Sequence, residues 1–286
     1  MTFEAFFLSA ENGQRFCLYH PANKAPDAAP RGQVVYVHPL TEEMNKSRRM
    51  AALQARALAL AGFDVFQIDL MGCGDSSGDF GDATWAAWVE DVASACRWLR
   101  ARKNEQTTHL PRPPLWLWGL RAGCLLAAQA AQTLQEPCRF LFWAPTPAGK
   151  PLLQQFLRLK AAADLASGNA KAVMEGLRSN LAQGRAVEIA GYLLSPDLAN
   201  GLEKSSLLPP PIGSTPNRVE WFELSTRDDA SLTPVAAKAI AQWQQAGYAV
   251  CSHLVNGPAF WQTTEIEDAP ALIPATTAAL MKASAP

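Results

Sequence analysis

Residues 119–123 read Gly-Leu-Arg-Ala-Gly, between the apolar run 114–119 and the Ala/Leu-rich stretch 122–134. This is the pattern of a strand entering a helix through a tight Gly-x-x-x-Gly turn. Such a turn lifts its middle side chain above the strand end, next to a helix N-terminus. A Ser, Cys or Asp there could attack a carbon centre. Arg121 cannot, because its guanidinium is always protonated and has no lone pair to offer. It can hold negative charge. With the N–H groups of the helix start, it would attract a carboxylate or phosphate. Two other readings stay open. Arg121 could pair with a local carboxylate, such as Asp229 or Glu42, and plug the pocket. Or different residues could have taken over the chemistry.

Several residues are candidates for that last role. Cys124 lies one turn into the helix and is expected to face the core, where its thiol pKa would be high. Cys73, Ser76 and Ser77 sit on the loop 70–82, at the C-terminal end of a strand, with Ser76 expected to line a pocket. A Ser76–His38 couple is one arrangement of nucleophile and base. The Glu42-Glu43 pair could do acid/base work. It reads more simply as the acidic start of a helix complemented by Lys46, Arg48 and Arg49. Gly-Asp-Ser-Ser-Gly-Asp (74–79) lacks the lysine and spacing of a phosphate-binding loop. Phe260 and Trp261, in the loop 256–262, could line a ligand pocket or simply fill space.

The elements that must position these residues follow from periodicity. Two apolar runs, 3–8 and 15–19, flank Glu11-Asn12-Gly13, which marks a hairpin. Residues 33–40, 63–69, 114–119 and 138–145 read as strands, the first as a continuous apolar run of the kind buried on both faces. Between them, 50–62 reads as a helix capped by Gly62, preceded by a polar stretch, 41–49. A second helix runs to Arg102, capped by Asp82 or Thr84, with Trp85, Trp88, Val89, Val92, Cys96 and Leu99 on one face. The regular alternation predicts a mostly parallel sheet with helices on both faces. It breaks from about 147 to 216, where helical patches, the stretch 187–194 and a Pro/Gly run at 209–216 suggest an insertion. It resumes with a strand at 218–225, an amphipathic helix at 234–247, a strand at 248–255 and a short terminal helix.

Composition bounds the function classes. The chain has 286 residues, 49% of them hydrophobic, which is enough for a large core. Its net charge of −1 offers no footprint for nucleic acid. No apolar run reaches the roughly 20 residues of a membrane span. The first sixteen residues carry Glu4 and no basic region of a signal peptide, so a cytoplasmic protein is expected. Six scattered cysteines without a C-x-x-C pair fit free thiols and no zinc site, and no cofactor is expected.

Three pieces together resemble the α/β-hydrolase superfamily. His38-Pro39-Leu40 sits where that family has His-Gly-x, residues 63–80 resemble its strand and loop ending Asp-x-x-Gly-x-Gly-x-Ser-x-Gly, and 119–123 sits at its Gly-x-Ser-x-Gly turn. The strings 38–50, 119–123, 156–160 and 257–270 resemble more narrowly the exosortase A system-associated hydrolase 2 group, of bacterial exopolysaccharide and PEP-CTERM sorting loci. The resemblance implies an α/β-hydrolase core over 1–146 and 217–286, with a mostly helical cap at 147–216. It implies an oxyanion hole from the Leu40 and Ala122 N–H groups, braced by His38, and an acid at Asp228 or Asp229. It implies hydrolysis of an ester, thioester or acyl bond. Against this, Arg121 replaces the nucleophile, and the loop 256–262 has no histidine; His253 lies inside the preceding strand, several residues too early. The competing expectation is a non-catalytic pseudo-hydrolase that binds a small anionic or acyl ligand, or a partner protein from the same locus.

Overall fold

The computed structural model describes residues 3–25, 27–102, 111–134, 136–163, 170–211 and 217–284. A hairpin opens the chain, β1 (Glu4–Ala10) and β2 (Gly13–His20). Then follow β3 (Gly32–Val37), α1 (Thr41–Leu60), β4 (Phe63–Ile68), a single 3-10 turn (Phe80–Asp82) and α2 (Trp85–Ala101). Next come β5 (Leu115–Leu120), α3 (Ala122–Thr133) and β6 (Cys138–Trp143). A segment of α4 (Gly149–Ala163), α5 (Ala170–Ala182), the hairpin β7 (Val187–Ile189) and β8 (Tyr192–Leu194), and α6 (Pro196–Lys204) precedes the return to the sheet. The chain closes with β9 (Arg218–Ser225), α7 (Pro234–Gln245), β10 (Ala249–Asn256) and α8 (Leu272–Ala283). Residues 212–216 of the Pro/Gly run lie outside the described residues.

The main sheet has the order β1-β2-β4-β3-β5-β6-β9-β10. β1, β2 and β4 pair antiparallel in succession, and every other pair is parallel. This mostly parallel sheet flanked by helices is the α/β-hydrolase architecture. β3 and β5 are buried at every position because both faces are covered. Trp116, Trp118 and Leu120 point to the α1 and α8 face, and Leu115 and Leu117 to the face of α2, α3 and α7.

One boundary differs from the sequence expectation. The polar stretch 41–49 is the first half of α1, not a connector before it. Its buried residues, Thr41, Met44, Ser47, Met50, Ala51, Gln54, Ala55 and Leu58, keep helical spacing along the whole helix. The first two turns bury Thr41 and Ser47 around the one apolar Met44, so their stripe is faint in the sequence. Residues 187–194 form a hairpin whose turn, Ala190-Gly191, has both φ values positive.

α6 seats this segment on α2. A Cβ placed on Gly201 would come within 2.1 Å of the Trp85 Cβ, and one on Gly149 within 1.9 Å of the Leu202 carbonyl oxygen. Among the described residues, no helix is long and apolar enough to cross a membrane.

The turn between β5 and α3 depends on close approach. A Cβ on Gly123 would lie 2.1 Å from the Val37 carbonyl oxygen, and one on Gly119 2.5 Å from the Cys124 nitrogen. Val37 ends β3, so α3 is pressed onto the central strand pair. Gly123→Ala is expected to lower unfolding free energy by about 3 kcal/mol in denaturant titration, because backbone must move. Gly176→Ala, in α5 with nothing within 4 Å, is expected to gain roughly 0.5–1 kcal/mol.

Candidate active site

Three connections at the C-terminal end of the parallel strands carry strained backbone. Thr41 after β3, Arg121 after β5 and Ala144 after β6 have φ of 43°, 54° and 42°. Arg121, with ψ of −116°, is the N-cap of α3. Its N–H donates to the Trp143 carbonyl at 3.1 Å, and its own carbonyl accepts from the Cys124 N–H at 3.0 Å. Neighbouring strands therefore hold the turn in a shape that non-glycine residues rarely adopt.

The Arg121 guanidinium is engaged on every nitrogen. Nε donates to Glu43 Oε1 at 3.3 Å, Nη1 to Thr146 Oγ1 at 3.0 Å and Nη2 to Gln155 Oε1 at 3.1 Å. Glu43 comes from the first turn of α1 and Gln155 from α4. The Trp261 ring lies 5.8 Å from the guanidinium carbon. The Arg121 and Glu43 side chains are only 15% and 16% exposed, so the pair is largely dry.

Two carboxyls flank this cation. Glu43 Oε1 also accepts from Gln262 Nε2 at 3.2 Å, while Oε2 is buried without a partner. Burial pushes the Glu43 carboxyl above its usual range, against the pull of Arg121. Glu223, near the end of β9, accepts from Trp221 Nε1 at 2.9 Å and is also raised by burial and lowered by Arg121. The Trp261 Nε1 is a further buried donor with no partner. The charge here is balanced or acidic, not basic.

Glu42, one of the two expected partners, instead accepts from the Tyr192 hydroxyl at 2.7 Å and so ties α1 to β8. Asp229, the other, pairs with Arg227 at 3.0 Å on the surface, and Asp228 is exposed. The carboxyls that sense Arg121 are Glu43 and Glu223. Their signal was a charged residue in a buried strand for Glu223, and helix phase for Glu43, which needed the true start of α1.

His38 is a brace and has no ring nitrogen free for a ligand. Its Nδ1 lies 2.8 Å from the Pro39 carbonyl, and its Nε2 lies 3.2 Å from the Leu70 N–H. Those partners require a proton on Nδ1 and a lone pair on Nε2, and burial lowers the ring's pKa in agreement with a neutral imidazole. Ser76 does not line the elbow pocket. Its hydroxyl donates to the Asp69 carbonyl at 2.5 Å and accepts from the Phe16 N–H at 2.9 Å, sewing the loop to β2. No Ser76–His38 couple forms.

Cys124 is fully buried and its thiol lies well above its usual pKa, and burial pushes Cys73 up to about 12. Phe260 fills the core beside Trp143 at 6.1 Å, not a pocket. His253 sits inside β10 against Glu220 at 2.6 Å and stacks on Phe222. The Leu40 and Ala122 N–H groups donate to no backbone acceptor among the described residues.

Arg121→Ala would leave the buried Glu43 without its cation. At neutral pH this is expected to cost about 3 kcal/mol in denaturant titration. Glu43 is already raised in the fold, and losing Arg121 raises it further. Its ionisation therefore opposes folding above the folded pKa, and the deficit should shrink as pH falls through that pKa toward the ordinary carboxylate range. Adding Glu43→Gln to Arg121→Ala should flatten this pH dependence.

The family described as serine aminopeptidase, S33, matches residues 28–195, more than half of the chain. Among solved structures, Est1E from Butyrivibrio proteoclasticus with ferulic acid bound is similar, with TM-score 0.65, 13% identity and coverage of 97% of each chain. A highly thermostable carboxyl esterase from Bacillus coagulans, in complex with glycerol, gives 0.61 at 13% identity over 99% of this chain and 97% of its own. An α/β serine hydrolase without lid from Xanthomonas campestris gives 0.54 at 16% identity over 98% and 92%. No curated protein matches the chain in sequence. By its matched residues and its sheet, the chain belongs to the S33 serine aminopeptidase family and has the α/β-hydrolase fold.

Proposed function

We propose that this chain is a pseudo-hydrolase, a member of a hydrolase family that binds without serine-dependent turnover. The observation that carries this reading is Arg121. It occupies the strained turn after β5 with φ of 54°, where the family resemblance places a nucleophilic serine. Its three nitrogens are held by Glu43, Thr146 and Gln155. A guanidinium so held neither attacks nor yields its place. The loop 256–262 carries no histidine, and His38 spends both ring nitrogens on backbone groups. Nucleophile and base are thus both missing from the positions that the serine mechanism needs.

The same contacts bear on the ligand. A free Arg121 beside the Leu40 and Ala122 N–H groups would have favoured an anion. Compensated by Glu43 and flanked by Glu223, the site favours an uncharged, hydrogen-bonding group over a second carboxylate or a phosphate. An ester, amide or sugar hydroxyl of an acyl or saccharide ligand fits that chemistry. The stretch 147–211, which follows β6, reaches the cation through Gln155 and forms the proposed cap over this end of the sheet. The resemblance to the exosortase A system-associated hydrolase 2 group ties the proposed role to exopolysaccharide production or protein sorting, with a partner from the same locus as an alternative occupant.

The test is active-site labelling. A serine-directed fluorophosphonate probe should leave the purified protein unlabelled, and short p-nitrophenyl esters should not be turned over above background. Arg121→Ser alone should remain inactive, since no base is restored. Stoichiometric labelling of the wild-type chain would overturn the proposal.

A further inference from the structure

A cavity of about 260 Å³ opens where β9 and β10 end beside the start of α7. It lies apart from the elbow, since none of Arg121, Glu43, Thr146 and Gln155 lines it. Glu223 stands in its wall. Leu254, in register with Glu223 on the neighbouring strand, continues that wall on the same face of the sheet and is 43% exposed.

The charges around this cavity do not balance. Arg227 is spent on Asp229, with Nε and Nη2 donating to its two carboxylate oxygens at 3.1 and 3.0 Å. Glu223 has no such partner. Its Oε1 accepts from Trp221 Nε1 at 2.9 Å, a neutral donor, and it forms no ion pair among the described residues. Arg121 reaches it only through its field, because that guanidinium is committed to Glu43. The Glu223 Oε2 accepts from no group among the described residues and, unlike Glu43 Oε2, is not sealed from solvent. A half-buried carboxylate without a cation is costly, and a bound cation would relieve it.

The other groups select the kind of cation. Ser231 lines the cavity, and its hydroxyl makes no hydrogen bond among the described residues. Ser225 and Thr233 already accept from the Arg227 and Ala236 N–H groups, each at 3.1 Å. The start of α7 offers an anion little, since Pro234 has no N–H and Thr233 caps Ala236. A bare calcium or magnesium ion takes six or more oxygens, more than these side chains supply. An ammonium carries N–H donors for a carboxylate and a hydroxyl, and a carbon chain on it meets Leu254. We propose that this cavity binds a primary alkylammonium group, donating to Glu223 Oε2 and the Ser231 hydroxyl with its chain packed on Leu254. This site does not depend on the elbow being inactive.

The probe is hexylamine at neutral pH, titrated into the full chain by NMR of the labelled backbone amides, with 1-hexanol and hexanoate at equal ionic strength. We expect saturable binding of the amine, at least tenfold weaker binding of the alcohol, and none of hexanoate. The amide shifts should centre on residues 223–233 and 254. Glu223→Gln keeps the size of the side chain and an acceptor for Trp221, and should weaken the amine at least tenfold. Leu254→Lys sets a tethered ammonium in register with Glu223. It should abolish binding and raise the melting temperature. No saturable binding, the alcohol binding as tightly as the amine, or unaltered affinity in both variants would overturn the proposal. So would amide shifts confined to the elbow, at residues 121–123 and 146. Residue 254 is exposed, so Leu254→Lys remains informative should Glu223→Gln fold poorly.

Discussion

A guanidinium set at the end of the central strands, with little water, has to be neutralised where it sits. That requirement organises this end of the molecule. Arg121 is delivered there by a turn that α3 and β3 hold too tightly for any side chain at Gly123. Its cation then draws on Glu43 from α1, Thr146 after β6 and Gln155 from α4. Three stretches distant in the chain are tied to one side chain. The alternative, an uncompensated charge, would cost more than any one of these contacts gains. The strain at Thr41 and Ala144 belongs to the same region, where three strand ends deliver loops to a common place.

Beneath this edge, the sheet carries large aromatic side chains on both faces. Trp116, Trp118 and Trp143 lie fully buried toward α1 and α8, and Phe140, Phe142 and Trp221 toward α3 and α7. Large rings in adjacent strands leave little room to rearrange, which suits a rigid support for an edge that carries strain. The same packing leaves the Nε1 atoms of Trp116 and Trp118 without partners, a cost accepted inside the core. Coverage stops at α1. The antiparallel hairpin extends the sheet past that helix, and its Phe7 remains exposed. A cavity beside α1 lies where a covered parallel sheet meets an uncovered antiparallel extension.

Much of the architecture was legible because it rests on local periodicity. Continuous apolar runs mark strands buried on both faces, and β3 and β5 are such strands. The tryptophan stripe of α2 identified its core face, and Trp85, Trp88, Val92, Cys96 and Leu99 are buried there. The site was less legible. Glu42 and Glu43 are adjacent in the chain, but successive helical side chains point about 100° apart. Only the start of α1 at Thr41 turns Glu43 to Arg121 and Glu42 to Tyr192. A histidine at position 38 has the chemistry to serve a ligand, but the Leu70 N–H, 32 residues away in the chain, occupies its second nitrogen. Phe260 and Trp261 are neighbours of one type, yet one is core and the other lies under the guanidinium.

What the sequence alone determined is therefore what neighbouring residues decide together: the alternation of strands and helices, the Gly-x-x-x-Gly turn, and the presence there of a side chain that cannot attack. The tertiary structure decided which charge answers Arg121, across 78 residues of chain, and which polar groups stay unpaired. The physical reason is that residue type and spacing set backbone form and side-chain chemistry. Compensation of a buried charge depends instead on direction and distance in space, which only the assembled sheet and helices supply.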